Sequence, residues 1–204
     1  MHITNIAVLV SGRGSNLQAI IDNIENGTIP NASITVVLSD VGGIYALERA
    51  QNHGIDTFFV NPVQYEDKAS YESEILRILE KYNIGLILLA GYMRVVGPML
   101  LNPYRNKMLN IHPALLPSFP GLHSQKQAFD HGVKVSGCTV HFVDDSVDTG
   151  PIIIQKCIPV LEDDTEETLA ARILEQEHKI FPEAVRLFVQ GQLRIEGHKV
   201  RILE

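Results

Sequence analysis

The sequence predicts an α/β fold: an open, mostly parallel sheet flanked by helices, with antiparallel strands toward the C-terminal half. Three observations predict it. Asn5 to Val10, NIAVLV, is a compact apolar run followed at once by the turn SGRGSN and by Leu17, Ile20, Ile21 and Ile24 at helical spacing, hence strand, turn and helix. A second apolar run, ITVVLSD, arrives about thirty residues after the first, the spacing of a βαβ unit and of parallel strands. Late in the chain, CTVHFVDD and GPIIIQKCIPV follow one another with only a short turn between, as paired strands do.

The remaining elements fit this frame. GGIYALERAQNHG reads as a helix ended by Gly54, DTFFV as a short strand, and Tyr71, Ile75, Ile78, Leu79 and Tyr82 as one face of an amphipathic helix. GLILLAG is continuously apolar, as a strand covered on both faces must be. A helix through MRVVGPMLLNPYRN, the strand KMLNIH, a proline-rich loop and a short helix near QKQAFDHG come next. Thr165 to Gln190 is expected to be helical with a break at Pro182, and RIEGHKVRIL to form a terminal hairpin.

Composition narrows the function. The chain has 204 residues, 45% hydrophobic and 20% charged, which suits one soluble domain spanning 1–204. A net charge of −7 argues against a nucleic-acid partner, whose binding draws on many Lys and Arg contacts to phosphate. No apolar run approaches the length of a membrane span, and the first ten residues lack the pattern of a secretory signal, so no membrane partner and a cytoplasmic location are expected. Cys138 and Cys157 are far apart and outside any C-x-x-C pair, and are expected to be buried reduced thiols.

Two stretches carry chemistry. In SGRGSNL the glycines bring bare amides to the start of the first helix, where the dipole favours an anion such as phosphate. Leu17 stands where a dinucleotide fingerprint wants a third small residue, and no Gly-Lys-Ser/Thr follows. The alternative is plain helix capping by Ser15 or Asn16. In NIHPALLPSFPGLHS, Asn110 and His112 are two apart on a strand and so share a face, on the sheet's carboxyl rim, ahead of a loop stiffened by Pro113, Pro117 and Pro120.

The turn in FVDDSVDTGP offers Asp144, Asp145 and Asp148; Asp148, constrained by the following Thr-Gly-Pro, is the favoured partner of the histidine, and His141 is a candidate neighbour. An amide donor, an imidazole and an orienting carboxylate suit a reaction that builds negative charge on a carbonyl oxygen. No Ser or Cys stands beside them as a nucleophile, which favours direct transfer over a covalent intermediate. The alternative is a loop-capping Asn110 and a hydrogen-bonded rim histidine. Glu177 falls in the middle of the apolar arc of the late helix, where it needs a partner: either a salt bridge near the helix end, or a substrate hydroxyl or ammonium.

VSGRGSNLQAII, AGYMRVV, LNIHPALLPSFPGLHS, TVHFVDDSVDTGPIIIQ and QEHKIFPEAV together resemble the phosphoribosylglycinamide formyltransferases of de novo purine synthesis, a folate-dependent formyltransferase family with a Rossmann-like fold. The resemblance implies transfer of the formyl group of 10-formyltetrahydrofolate to the amine of glycinamide ribonucleotide, with no metal. It implies that Asn110 and His112 hold the oxyanion while Asp148 favours the charged imidazole and helps carry the amine proton. It places Arg13, Gly14, Ser15 and Asn16 at the phosphate and Glu177 at the ribose. Met93, Arg94, Val95 and Val96 then line the pterin site, Lys68 meets the folate tail, Asp144 belongs to the folate site, and His141 supports the catalytic residues. Residues 1–100 become a phosphate-binding half and 101–204 a catalytic and folate-binding half, acting as a monomer or homodimer. One departure is Ala114, where the family often has Ser.

Four rivals are weighed against this, one of them a non-catalytic nucleotide-binding module that would use the first turn alone and leave Asn110 and His112 idle. A formyltetrahydrofolate hydrolase normally carries an additional amino-terminal domain, and a methionyl-tRNA formyltransferase a basic carboxyl-terminal one; neither is expected here. A metal hydrolase built from His112, His123, His141 and Asp148 lacks the compact spacing of a zinc site.

Overall fold

The computed structural model describes residues 3–203. They fall into two compact units divided between Leu109 and Asn110. In the first, strands β1 (Thr4–Val10), β2 (Ala32–Ser39), β3 (Asp56–Phe59), β4 (Leu86–Leu89) and the start of β5 (Met108–His112) lie in the order β3-β2-β1-β4-β5. The pairs β1 with β2, β1 with β4 and β2 with β3 are parallel. Helices α1 (Ser15–Glu25), α2 (Tyr45–Asn52), α3 (Lys68–Lys81) and the single turn α4 (Pro98–Leu101) make the connections. Ile6 to Val10 and Leu86 to Leu88 have no exposed surface, the burial that parallel strands require and that their unbroken apolar runs predict.

In the second unit the rest of β5 is followed by β6 (Val135–Phe142), β7 (Ile152–Pro159), β9 (Lys199–Ile202) and β8 (Leu193–Glu196), in the order β5-β6-β7-β9-β8. The β6–β7 and β8–β9 pairs are antiparallel, and β7 meets β9 in parallel at Ile152 and Lys199. Helices α5 (Ser124–His131) and α6 (Glu166–Val189) complete it. The fold class is therefore the one expected: a mostly parallel sheet, antiparallel strands late in the chain, helices alongside.

Three expectations need correction. The helix expected through residues 93–106 is reduced to Pro98–Leu101, because Val95 and Val96 are β-branched and the residue before a proline avoids helical geometry. The break at Pro182 is absent, and α6 runs through it. A proline inside a helix costs about 3 kcal/mol, but Ile173, Phe181, Val185 and Leu187 are all buried on that helix, each worth about 1.5–3 kcal/mol, so packing prevails. Finally, Cys138 is buried but Cys157 is exposed, lying on β7 beyond its buried start.

Candidate active site

Alternation along β5 sends Leu109 and Ile111 into the core and turns Asn110 and His112 together to the other face. Asp148 reaches them from the turn between β6 and β7. Its Oδ2 lies 3.3 Å from His112 Nδ1 and accepts the Gly121 N–H at 2.8 Å. Its Oδ1 lies 3.4 Å from Asn110 Nδ2 and 3.5 Å from His141 Nε2. The Thr-Gly-Pro that follows sets this reach: a Cβ on Gly150 would sit 1.8 Å from the Phe142 carbonyl oxygen, so only glycine fits. Asp148 itself holds a left-handed backbone, φ 54°, as does Phe119, also at φ 54°. Such strain costs about 1–3 kcal/mol per residue and clusters at functional sites.

The hydrogen bonds fix the protons. His141 Nδ1–H donates to the Phe142 carbonyl at 2.8 Å, which leaves Nε2 to accept from the Asn110 amide nitrogen at 3.1 Å. The Asn110 side chain is thereby oriented with its nitrogen toward His141 and Asp148. His112 Nε2–H donates to the Phe119 carbonyl at 2.9 Å, so the proline-rich loop steadies the ring as the sequence suggests, through a main-chain oxygen. Its Nδ1 faces the carboxylate. Two acceptors thus flank the ring, an arrangement that an imidazolium would satisfy in full.

Burial opposes that charge. Burial lowers the His112 pKa below its ordinary value; Asp148 and the Phe119 carbonyl raise it and His141 lowers it, and the balance stays low. Asp148 favours the charged imidazole, but desolvation outweighs it in the resting ring. For Asp148, burial raises the pKa, yet His141, the Gly121 N–H and His112 together outweigh it, so the carboxyl stays below its usual range and ionised at neutral pH.

In the first unit, the SGRGSN turn leads into α1 with Gly14 as its N-cap at φ 74° and with no side chain capping the helix. The capping alternative for Ser15 and Asn16 is thus not realised at this N-cap. Arg13 is exposed, Ser15 is half-buried and Asn16 is buried. Arg49 of α2, which the sequence reading passed over, donates from Nε to the Arg13 carbonyl at 3.0 Å and from Nη1 to Gln18 at 3.1 Å.

Met93, Arg94 and Val95 are exposed and Val96 half-buried in the loop after β4, with the Arg94 guanidinium 5.3 Å from the centre of the Tyr71 ring. Lys68 opens α3 at the edge of a cavity of about 480 Å³ whose other lining residues include Glu72, Leu76 and Met99. Asp144 accepts from Thr149 Oγ1 at 2.7 Å and the Ser146 N–H at 3.2 Å, ordering its own turn. Glu177 is buried on α6, at 5% exposure among Ile173, Ile180 and Phe181, as its place on the apolar arc predicts.

The sequence reading missed the Phe119 carbonyl and the Gly121 amide, which no side-chain pattern reveals. It also missed Glu72, buried at 3% exposure, although Glu72 stands at i, i+3 and i+7 from Ile75 and Leu79 and carries the same signal as Glu177. Among the described residues, no three His, Cys, Asp or Glu side chains are placed to hold a metal ion, and no helix is long and apolar enough to cross a membrane.

Comparison with known proteins shows the family. The formyl transferase family matches residues 4–185. The phosphoribosylglycinamide formyltransferase of Bacillus subtilis (strain 168) is 45% identical over 88% of this chain and 92% of its own. The trifunctional purine biosynthetic protein adenosine-3 of Drosophila melanogaster is 44% identical over 91% of this chain, which spans only 14% of that protein. The crystal structure of glycinamide ribonucleotide transformylase 1 from Symbiobacterium toebii superposes with a TM-score of 0.97 at 51% identity, covering 100% of this chain and 95% of that one. The chain belongs to the formyl transferase family.

Proposed function

We propose that the chain transfers the formyl group of 10-formyltetrahydrofolate to the amine of glycinamide ribonucleotide, by direct attack through a tetrahedral oxyanion. The observation that carries this reading is the convergence of Asn110, His112 and Asp148, held by His141, Phe119 and Gly121, with no Ser or Cys in that hydrogen-bonded group to act as a nucleophile. As the amine adds to the formyl carbon, negative charge gathers on the formyl oxygen. The Asn110 amide and the His112 ring stabilise it once that oxygen takes the place of an acceptor that holds them at rest, Asp148 Oδ1 for the amide and the Phe119 carbonyl for the ring. A ring kept neutral at rest by burial gains a proton most readily when that charge appears, so its help is greatest in the transition state, where it accelerates the reaction. The proton the ring takes up is the one the attacking amine loses; the ionised Asp148 stabilises the imidazolium so formed and in that way helps carry the proton, which passes to the folate nitrogen as its bond to the formyl carbon breaks and tetrahydrofolate leaves.

The substrate phosphate is assigned to the uncapped amides of the Gly14 turn together with Arg13, Ser15 and Asn16, and the ribose to Glu177. The folate is assigned to Met93, Arg94, Val95 and Val96, with Lys68 and Asp144 toward its remainder. Under this reading the partners are two small molecules met in the cytoplasm.

The test is an assay with 10-formyltetrahydrofolate in which glycinamide ribonucleotide, water and initiator tRNA compete as acceptors. Formylated glycinamide ribonucleotide is the expected product. Formate release at a comparable rate, without that product, would replace this reading with hydrolysis.

A further inference from the structure

We infer that Glu72 is a positioning residue for the folate subsite, its buried carboxylate fixing the far end of the loop that presents Met93 to Val96. The inference rests on the assignment of that loop to folate. Glu72 lies on α3 with 3% of its surface exposed, in a protein whose proposed chemistry gives it no task. A carboxylate in such a place has to be hydrogen-bonded or paired. Its Oε1 accepts the Gly97 N–H at 2.5 Å, and the Lys68 ammonium, one helical turn earlier, lies 3.9 Å from the same oxygen. The fit is close: a Cβ on Gly97 would stand 2.7 Å from Glu72 Oε2 and 2.9 Å from both Oε1 and Lys68 Cε. Gly97 has an ordinary backbone, φ −99°, so it is the space beside the carboxylate that calls for glycine there.

The near end of the loop is pinned independently. Ser11 N–H donates to the Gly91 carbonyl at 3.1 Å, and Ser11 Oγ accepts the Met93 N–H at 2.9 Å while donating to Asp40 at 2.6 Å. The Tyr92 and Tyr71 hydroxyls meet at 2.8 Å. Between the pins, Met93 and Val95 are each 59% exposed. Large apolar side chains do not hold an outward position by their own packing; the backbone bonds on either side hold them. Glu72 supplies the bond at Gly97 and tethers Lys68 as well, so one buried acid orients both groups assigned to the folate.

Glu72→Leu removes the acceptor at similar volume, and Glu72→Gln keeps it. For Glu72→Leu the KM for 10-formyltetrahydrofolate should rise about tenfold or more while kcat and the KM for glycinamide ribonucleotide stay within about twofold. Hydrogen exchange at the amides of residues 93–97 should quicken, and Glu72→Gln should restore most of the lost affinity. An unchanged folate KM and unchanged exchange in Glu72→Leu overturn the proposal. If Glu72→Leu does not fold, Gly97→Ala displaces the same carboxylate from the other side and must give the same split in KM; a normal folate KM there also overturns it. Met93→Ala separates the two ideas. A folate KM that ignores Met93→Ala removes the subsite assignment, and with it the proposal, whereas one that responds to Met93→Ala but not to Glu72→Leu removes the clamp alone.

Discussion

At Asn110 and His112 the two side chains owe their shared direction to strand alternation, but their chemistry to groups that alternation does not name. The amide is oriented because His141 has spent its Nδ1 proton on the Phe142 carbonyl and offers Nε2 as an acceptor. The ring is oriented by the Phe119 carbonyl. Asn110→Ala and His112→Ala should each lower kcat by about 10²-fold or more, as removal of an oxyanion donor does elsewhere; single-turnover rates with both substrates saturating measure it, and a near-normal rate refutes the role of that side chain. Asp148→Asn is more informative, because Asp148 raises the His112 pKa against the effect of burial. With the charge removed, the ring's pKa moves further below 6.5. If the resting ring must be neutral to receive a proton, activity falls on the acid side of that pKa. The acid limb of the kcat/KM profile should then shift to lower pH in Asp148→Asn, alongside a large loss of kcat; an alkaline limb that moves to lower pH instead would mean the charged ring is the working form. The sequence made these three residues legible, since two share a strand and the third is followed by Thr-Gly-Pro. It could not give the sign of the His112 shift, because depth of burial is a property of the packed core.

Among the elements, the Gly14 turn shows how little of a site need be side chain. Gly14 holds φ 74°, and a Cβ there would lie 2.7 Å from Ala46 Cβ on α2. The left-handed backbone costs an alanine about 1–2 kcal/mol, and the contact can be relieved only if α2 withdraws, although α2 carries the Arg49 that holds the Arg13 carbonyl. Gly14→Ala should therefore raise the KM for glycinamide ribonucleotide strongly with a smaller change in the folate KM, and lower the thermal midpoint; steady-state kinetics with each substrate varied show whether the damage is confined to that turn. Helix α6 illustrates the opposite balance. Its start is set by a capping box in which Thr165 Oγ1 accepts the Thr168 N–H and Thr168 Oγ1 accepts the Thr165 N–H. Thr165→Ala should cost about 1 kcal/mol in denaturant unfolding with little effect on turnover. The local signals at Thr165 and at the Leu169 to Phe181 arc were readable in the sequence. The continuity through Pro182 was not, because it depends on what the far half of the helix packs against. The Met93 to Gly97 segment failed for the same reason: its apolar residues resemble a helix face, yet they point outward on a loop held by Ser11 and Glu72.

For the molecule as a whole, strand type was legible and strand order only in part. Parallel pairing of β1, β2 and β4 follows from strand-helix-strand spacing, but nothing in RIEGHKVRIL says that β9 and not β8 lies against β7. Charge linkage likewise emerges only from the assembled chain, and it points in one direction. His112 and His178 both have pKa values lowered by burial, and the buried Nε2 of His178 has no hydrogen-bond partner among the described residues. A histidine whose pKa is depressed in the folded state binds fewer protons there than when unfolded. Its contribution to stability is complete above about pH 6.5 and is lost as pH falls through that value toward the lower folded pKa. Asp148, also depressed, acts the same way in a separate window, below the ordinary carboxylate range. Unfolding free energy from urea titrations should accordingly be flat between about pH 7 and 8 and decline as the pH drops from 6.5, before any carboxylate is protonated. His178→Gln, which cannot titrate, should flatten part of that decline and leave formyl transfer at neutral pH intact. The account of His178 fails if the variant's slope between pH 6.5 and 5 matches that of the unaltered protein.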